Sequence, residues 1–400
     1  MACRPRKTQT VESLMFILAG VVQLHCAAGL SVAMTGGSVT RVQWPQSVSD
    51  TVAVGPMAVA TGDVVVVAAR GGGTAEVRPE RGPGPCAIWS LALRAGHRDH
   101  ASPSEELSRL HCDVPFTDVV SMVSSGAGVW MGTDKGVLTL VGRELKSVRP
   151  RALKLPITPP VYSDFTYDGV QGLSVDADGW VWVLPRWLWP AICVFHSDAA
   201  DREPKVYRVT DVRAEAVVGS LSGPGVWVVA WKGHGKAFFR LTPDLLPVHA
   251  DPDTPWFRVV RGKPLLQQAP ALDLSGIRVG AWGDALWITG EAGNAVHILV
   301  CENNALKEQR GFEQFLGKRR VTDIAFDKVG TVYFATDGAG VIVFDGQQWQ
   351  PHPMNNDLPV VAGTNRKPVS HVLPLSDGRV AVCTGEYLLI WGEEERKEQP

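Results

Sequence analysis

Residues 321–353 read VTDIAFDKVGTVYFATDGAGVIVFDGQQWQPHP. Three apolar runs, VTDIAF, TVYFAT and GVIVFD, are separated by short turns containing Gly and Asp. A fourth run, QQWQPHP, follows around Trp349. Runs this short, rich in Val, Ile, Phe and Tyr, read as strands and not as helical windows. The stretch predicts a meander of four antiparallel strands. Such a sheet is apolar on both faces, so it is unstable alone and must stack against a neighbour on each side.

Neighbours of the same kind run along the chain. SSGAGVWMGTDKGVLTL starts at Ser124, VDADGWVWVLP at Val175, LSGPGVWVVAW at Leu221 and AWGDALWITGEAGNAVHIL at Ala281. PLSDGRVAVCTGEYLLIWG starts at Pro374, and a weaker copy, VATGDVVVVAA, at Val59. The second-strand positions align at Val65, Trp130, Trp182, Trp227, Trp287, Tyr333 and Ala381, with spacings from 45 to 65 residues. That period suits a four-stranded blade plus its loops. The expected fold is all-β: a seven-bladed β-propeller of four-stranded antiparallel blades around a central channel. Six or eight blades, a sandwich, or two separate β domains are the alternatives.

The ends of the repeat array bear on this choice. The last repeat has VSHVLPL, RVAVCTG and YLLIWG, and then only charged EEERKEQP. Its fourth strand is missing. At the other end SVTRVQWPQ, residues 38–46, has the look of that strand, with Trp44 in the place of Trp349. The N-terminal strand is expected to complete the last blade, which removes the two free edges of an open ring. The organisation expected is a leader over 1–33, one propeller domain over 34–392 and a charged, solvated tail over 393–400.

Composition agrees with one large repeat fold. The chain has 400 residues, 45% of them hydrophobic, with 41 Gly and 28 Pro set between apolar runs as turn punctuation. A net charge of −2 gives no overall basic footprint for nucleic acid. Arg4, Arg6 and Lys7 precede the uncharged LMFILAGVVQL (14–24), and Cys26-Ala27-Ala28 and Ser31-Val32-Ala33 follow as small-x-small sites. This reads as an export signal, placing the protein in the periplasm or cell envelope. An uncleaved anchor is the alternative, the one route by which the chain would touch a membrane. Cys193, Cys301 and Cys383 fall in strand-like runs, where a thiol packs as a small apolar group. Cys86 with Cys112 is the one pair to test as a disulfide.

The stretch from Val321 to Pro359 resembles the two-component-regulator-type propeller repeats of exported sensor regions. Asp327, Gly330, Tyr333, Thr336, Gly338, Gly340, Asp345, Gly346, Trp349, Leu358 and Pro359 carry the match. The second repeat fits in part through Trp130, Gly132, Thr133, Asp134 and Gly136, the fifth through Trp287, Thr289 and Gly290. The resemblance covers about a third of the chain. It implies a propeller that senses or binds a ligand outside the cytoplasm, and it says almost nothing about activity.

Site candidates follow from the fold. In a propeller the loops joining strand b to c, and strand d to the next blade's a, share one face. DGWVWVLPRWLWPAI (178–192) holds four tryptophans. Trp182 occupies the repeat's strand position and is expected between blades, with Trp180 partly buried. Trp187 and Trp189 stand in a b–c loop between Pro185 and Pro190, either folded over a neighbouring blade or forming an apolar platform for a partner or sugar ring. The d–a loop TPPVYSDFTYDG (158–169) brings Tyr162, Asp164, Phe165, Tyr167 and Asp168 to the same face. Residues 354–368 and 262–276 form two more long loops, and loops of that length are often functional.

Other motifs read as structure. VDADG (175–179) starts like a calcium loop but lacks the later acidic ligands. His97, Asp99, His100, His111 and Cys112 have zinc-type chemistry without a zinc spacing. RGGGT (70–74) leads into no helix, so it lacks a phosphate loop's helix N-terminus. WKGHGK (231–236) reads as a solvated turn. With no nucleophile, metal or cofactor motif present, the sequence points to a non-catalytic module that binds a glycan, a small molecule or an envelope protein. A propeller-type lyase or lactone hydrolase, with its site at the channel mouth, is the competing reading.

Overall fold

The computed structural model describes residues 37–43, 53–60, 64–70, 86–92, 108–110, 118–125, 128–141, 144–148, 169–186, 191–199, 205–209, 213–219, 225–232, 235–241, 249–251, 254–260, 274–302, 305–385 and 387–393. Most of these are strand. Helix among them is confined to single turns at Ser197–Ala199, Glu313–Leu316 and Pro353–Asn356.

The strands form seven separate sheets. Blade 1 uses Ala53–Ala60, Val64–Arg70, Cys86–Ala92 and Ser108–Leu110. Blade 2 uses Val119–Ser125, Gly128–Thr133, Gly136–Val141 and Glu144–Val148. Blade 5 spans Ser275–Glu308, blade 6 Val321–Pro351, and each has four antiparallel strands. Innermost strands of successive blades touch all the way round, and blade 7 meets blade 1. The chain is a seven-bladed β-propeller.

What separates a ring from a sandwich is where the core sits. Side chains alternate across a strand, so a sheet with two apolar faces feeds two different interfaces. That is the arrangement here: seven apolar clusters, each shared by two consecutive blades. Trp130 enters the cluster between blades 2 and 3, while its strand neighbours Val129 and Met131 face blade 1. Trp182, Trp227 and Trp287 likewise fill the seams 3–4, 4–5 and 5–6. Tyr333 and Ala381 continue the series toward blades 7 and 1.

The weakest repeat departs from this phase. Val65 faces blade 7, and Val66 and Ala68 face blade 2. Val64–Val67 is an unbroken valine run, fully apolar on both sides, so its sequence carries no alternation from which the phase can be read.

Closure is as expected. Gly37–Gln43 pairs antiparallel with Tyr387–Glu393, with Val39 opposite Trp391, in the order first strand, last strand, Val380–Cys383, His371–Pro374. Trp44 lies outside the described residues.

Two blades differ from the four-stranded plan. Blade 4 keeps three strands, Arg213–Gly219, Val226–Lys232 and Gly235–Leu241. The hairpin after them, His249–Asp251 with Thr254–Val260, pairs instead with the outer edge of blade 3, parallel to Lys205–Val209. Blade 3 thereby has six strands. A parallel match satisfies the exposed edge groups of Lys205–Val209 as an antiparallel one would, and nothing in a short polar-apolar run distinguishes one edge from another.

Candidate functional site

Each innermost strand begins at the end of the ring where the b–c and d–a loops emerge, and in every blade but the seventh the ladder is bulged there. Register shifts occur at Val54/Met57, Val119/Ser121, Val170/Gly172, Ala214/Ala216, Ser275/Arg278 and Val321/Asp323. A bulge leaves backbone groups unpaired. Side chains of the preceding blade satisfy two of them: Gln171 Nε2 donates to Glu215 O at 3.3 Å and Arg278 Nε to Thr322 O at 2.8 Å, while Thr322 Oγ1 donates to Val369 O just ahead of blade 7 at 2.6 Å. Asp323 and His371 sit 3.3 Å apart at the same seam, but the carboxylate also accepts the Val372 N–H at 3.1 Å. This pair ties blade 6 to blade 7.

The b–c turns carry a second repeated device. The residue closing strand b donates its N–H to the carbonyl just before strand a: Asp134 to Asp118, Arg186 to Gly169 and Asp337 to Arg320, at 3.1, 3.0 and 3.0 Å. In blades 2 and 6 the aspartate closes the exchange, with Oδ1 accepting from Asp118 N and Arg320 N at 3.0 Å each. The preceding threonines, Thr133 and Thr336, bond Gly136 O and Gly340 O across the turn at 2.9 and 2.7 Å. Thr384 does the same with Tyr387 O at 3.2 Å. In blade 5 strand b continues past Thr289 to Ala292, so this hydroxyl sits away from the turn, buried and without a partner.

Trp187, Trp189, Tyr162, Asp164, Phe165, Tyr167 and Asp168 lie outside the described residues. Their anchors do not. Gly169 ends the segment carrying the tyrosines and aspartates, Arg186 begins the segment carrying the tryptophans, and the two are joined by the hydrogen bond above. Trp182 is fully buried, its Nε1 donating to Asp176 Oδ2 at 3.1 Å, and Trp180 is half-buried edge-on to His196, with ring centroids 5.3 Å apart.

The other motifs resolve into turns where they are described. Asp176 of VDADG accepts from Asp178 N, Trp180 N, Trp182 Nε1 and, across the seam, Gly225 N at 2.6 Å. Both of its oxygens are engaged in holding backbone and indole, which is turn chemistry. Trp231–Lys232 pairs directly with Gly235–Lys236 as a tight hairpin. His97, Asp99, His100, His111 and Cys112, with residues 71–74, fall outside the described residues. Burial pushes the Cys193 thiol up to about 12 and Cys301 to about 11, and raises Cys383 well above the usual thiol range.

The loop between blades 6 and 7 is described throughout. His352 is buried at its start, where Nδ1 accepts the Met354 N–H at 3.2 Å. Asn355 brackets Val341, taking its N–H at 2.8 Å and giving to its C=O at 2.9 Å. Gly340 is required beside it: φ is +78°, and a Cβ there would stand 2.3 Å from Asn355 Oδ1. Beyond buried Leu358 the loop emerges with Val360 and Val361 exposed, then returns through Arg366 and Lys367. Lys367 Nζ donates to Asn355 O, and the Lys367 backbone exchanges bonds with Gly338 O and Gly340 N.

That return brings together a group of cations that sequence reasoning missed. Arg319 and Arg320, leading into blade 6, and Arg366 and Lys367, leading into blade 7, surround the Asp337–Gly338 turn. Arg320 pairs with Glu291 at 2.8 Å. The signal was available as two basic clusters, Lys318–Arg320 and Arg366–Lys367, each just ahead of an a strand. It was hidden by a near-neutral net charge.

No protein-family model and no curated protein sequence matches this chain. Solved structures do match it in shape. The extracellular domain of the putative one component system BT4673 from B. thetaiotaomicron is 12% identical over 89% of this chain, with a TM-score of 0.51. This chain spans 40% of the length of that one. A chain of the Mitotic Checkpoint Complex is 12% identical over 92% of this chain and 98% of its own, with a TM-score of 0.50. The propeller domain of the Trilobed protease from Pyrococcus furiosus, described as having an open velcro topology, is 8% identical over 87% and 95%, at 0.50. The likeness is one of fold. In this chain the ring is closed by Gly37–Gln43.

Proposed function

We propose that the protein is an exported, non-catalytic binding module that engages a glycan, a small molecule or an envelope protein through its b–c/d–a face. One observation carries the reading. The Gly169–Arg186 hydrogen bond, 3.0 Å long, roots two aromatic-rich loops, 149–168 and 187–190, at one point on that face. Trp187 and Trp189 follow Arg186 directly in sequence, and Tyr162, Asp164, Phe165, Tyr167 and Asp168 lead up to Gly169. Leaving a Trp in water forgoes on the order of 4–6 kcal/mol of burial. A flat partner such as a sugar ring recovers it.

Export rests on the basic, apolar and small-residue order of residues 1–33, and an extracellular propeller such as that of BT4673 is compatible with it. Mass spectrometry of the mature N-terminus tests this part; a chain that begins at Met1 in the envelope fraction means an anchor instead. The binding part is tested by a screen of glycans and envelope proteins against wild type and the Trp187→Ala/Trp189→Ala double variant. A variant that melts as wild type and loses the hit supports the site. A variant that fails to fold, or keeps every hit, removes it.

A further inference from the structure

We infer that the notch over Gly338 is an oxyanion site, taking a carboxylate or phosphate group of the ligand between Arg319 and Arg366. The inference rests on the reading of the b–c/d–a face as the recognition surface, and it adds the chemistry of one subsite.

Two guanidinium groups converge there. The position a Gly338 Cβ would occupy is 3.2 Å from Arg319 Cδ, 3.3 Å from Arg319 Nε and 3.3 Å from Arg366 Nε. Only glycine leaves that space open. Arg366 is held in place: its Nη2 donates to Asp337 O at 2.9 Å, with Asp337 Oδ2 at 3.8 Å. Its Nε is nonetheless buried without a partner. A buried unmade donor is costly, more so on a charged group. Arg319 makes no side-chain hydrogen bond or ion pair among the described residues, although it is half-buried.

The local acids are already engaged. Asp337 Oδ1 accepts the Arg320 N–H, and Glu291 pairs with Arg320. Lys318 and Lys367 add to the positive field. Like charges this close repel, and a group with two or more anionic oxygens relieves the repulsion while supplying acceptors to Arg366 Nε and to the Arg319 fork. Val360 and Val361, exposed on the same loop, offer apolar surface for the remainder of such a ligand.

Isothermal titration of the full chain at low ionic strength, with inorganic phosphate and separately with acetate, tests this. Wild type should bind phosphate saturably at one site. Arg319→Gln should weaken it at least tenfold with an unchanged melting temperature, since that side chain holds nothing else. Gly338→Ala, whose methyl fills the notch, should weaken it as much, and Lys146→Gln, on the outer strand of blade 2, should have no effect. Acetate binding with the same dependence extends the ligand class to carboxylates; binding of phosphate alone narrows it to phosphates. Absence of saturable binding, or Arg319→Gln and Gly338→Ala titrating as wild type, overturns the site. Phosphate binding that survives in the Trp187→Ala/Trp189→Ala variant keeps this result separate from that of the aromatic loops.

Discussion

Acidification should strain the seam between blades 6 and 7 at one residue. His352 is 3% exposed, stacked edge-on against Trp391 with centroids 4.6 Å apart, and its Nδ1 already accepts the Met354 N–H. A proton on Nδ1 would set a donor against a donor and place a charge in an apolar seam. Burial accordingly pushes the imidazole down to about 4 from its ordinary 6.5. The folded value lies below the unfolded one, so the unfolded chain binds the extra proton between them. Stability from the neutral ring is therefore complete above about pH 6.5 and is lost as pH falls toward about 4. The loss works out to about 2 kcal/mol near pH 5 and about 3 kcal/mol near pH 4. His352→Asn isolates it, because asparagine keeps an oxygen to cap the Pro353–Asn356 turn and cannot titrate. Urea unfolding followed by tryptophan fluorescence, from about pH 7.5 to about pH 5, reports both proteins with carboxylate effects in common. Wild type should lead at neutral pH through its packing on Trp391, and the lead should shrink by about 2 kcal/mol at the acid end. A lead that stays constant with pH refutes the neutral, buried histidine.

Other consequences are more direct. Deleting residues 34–48 removes the strand opposite Tyr387–Glu393 and leaves that strand's edge unpaired, so the melting temperature should fall sharply; an unchanged melting curve contradicts the closure. Asp176→Ala strips the acceptor from the Trp182 indole and from Gly225 N–H, both buried, and should cost about 3 kcal/mol by chemical denaturation. Adding calcium or chelator to wild type should leave the same curve unmoved, since both Asp176 oxygens are engaged. Cys193 and Cys301 should resist a thiol reagent in the native protein and react on unfolding, because burial holds both thiols protonated; rapid native labelling of either would refute their burial.

The blade repeat was legible because five of the seven second strands carry a Trp or Tyr at one phase, and a tryptophan cannot be moved to the other face without emptying a seam. Val64–Val67 lacked such a marker, and the phase was misread there by one residue. The closing strand was legible by subtraction, from a last repeat short of one run. The edge swap of His249–Val260 was not, since backbone pairing at an outer edge is indifferent to sequence. In the loops the types of residue were visible but their roles were not. Asp134 and Asp337 look like free surface acids, and their work is to hold the backbone before strand a. The cations around Gly338 come from loops 47 residues apart in sequence and meet only when two blades stand side by side.

Connection length separates the two ends of the ring, apart from the 15-residue connection 93–107 between strands c and d of blade 1. The turns from strand a to b have two to six residues, as at 126–127 and 220–225, and in blade 3 one is cross-braced by a single aspartate. Chain that short and that well bonded has little surface to vary. The connections from strand d to the next a reach 21 residues at 149–169 and 19 at 352–370. They nevertheless spring from strand ends fixed by the bulge bonds of Gln171, Arg278 and Thr322 and by the Thr-Asp clamps. Long loops on a rigid rim are the arrangement in which side chains can be exchanged without disturbing the core that holds them. Both Gly169 and Arg186, which anchor the aromatic segments, and the guanidinium pair of blades 6 and 7 lie on that rim. Recognition is therefore expected from this end of the ring, and substitutions in the short turns of the other end should change stability and leave binding intact.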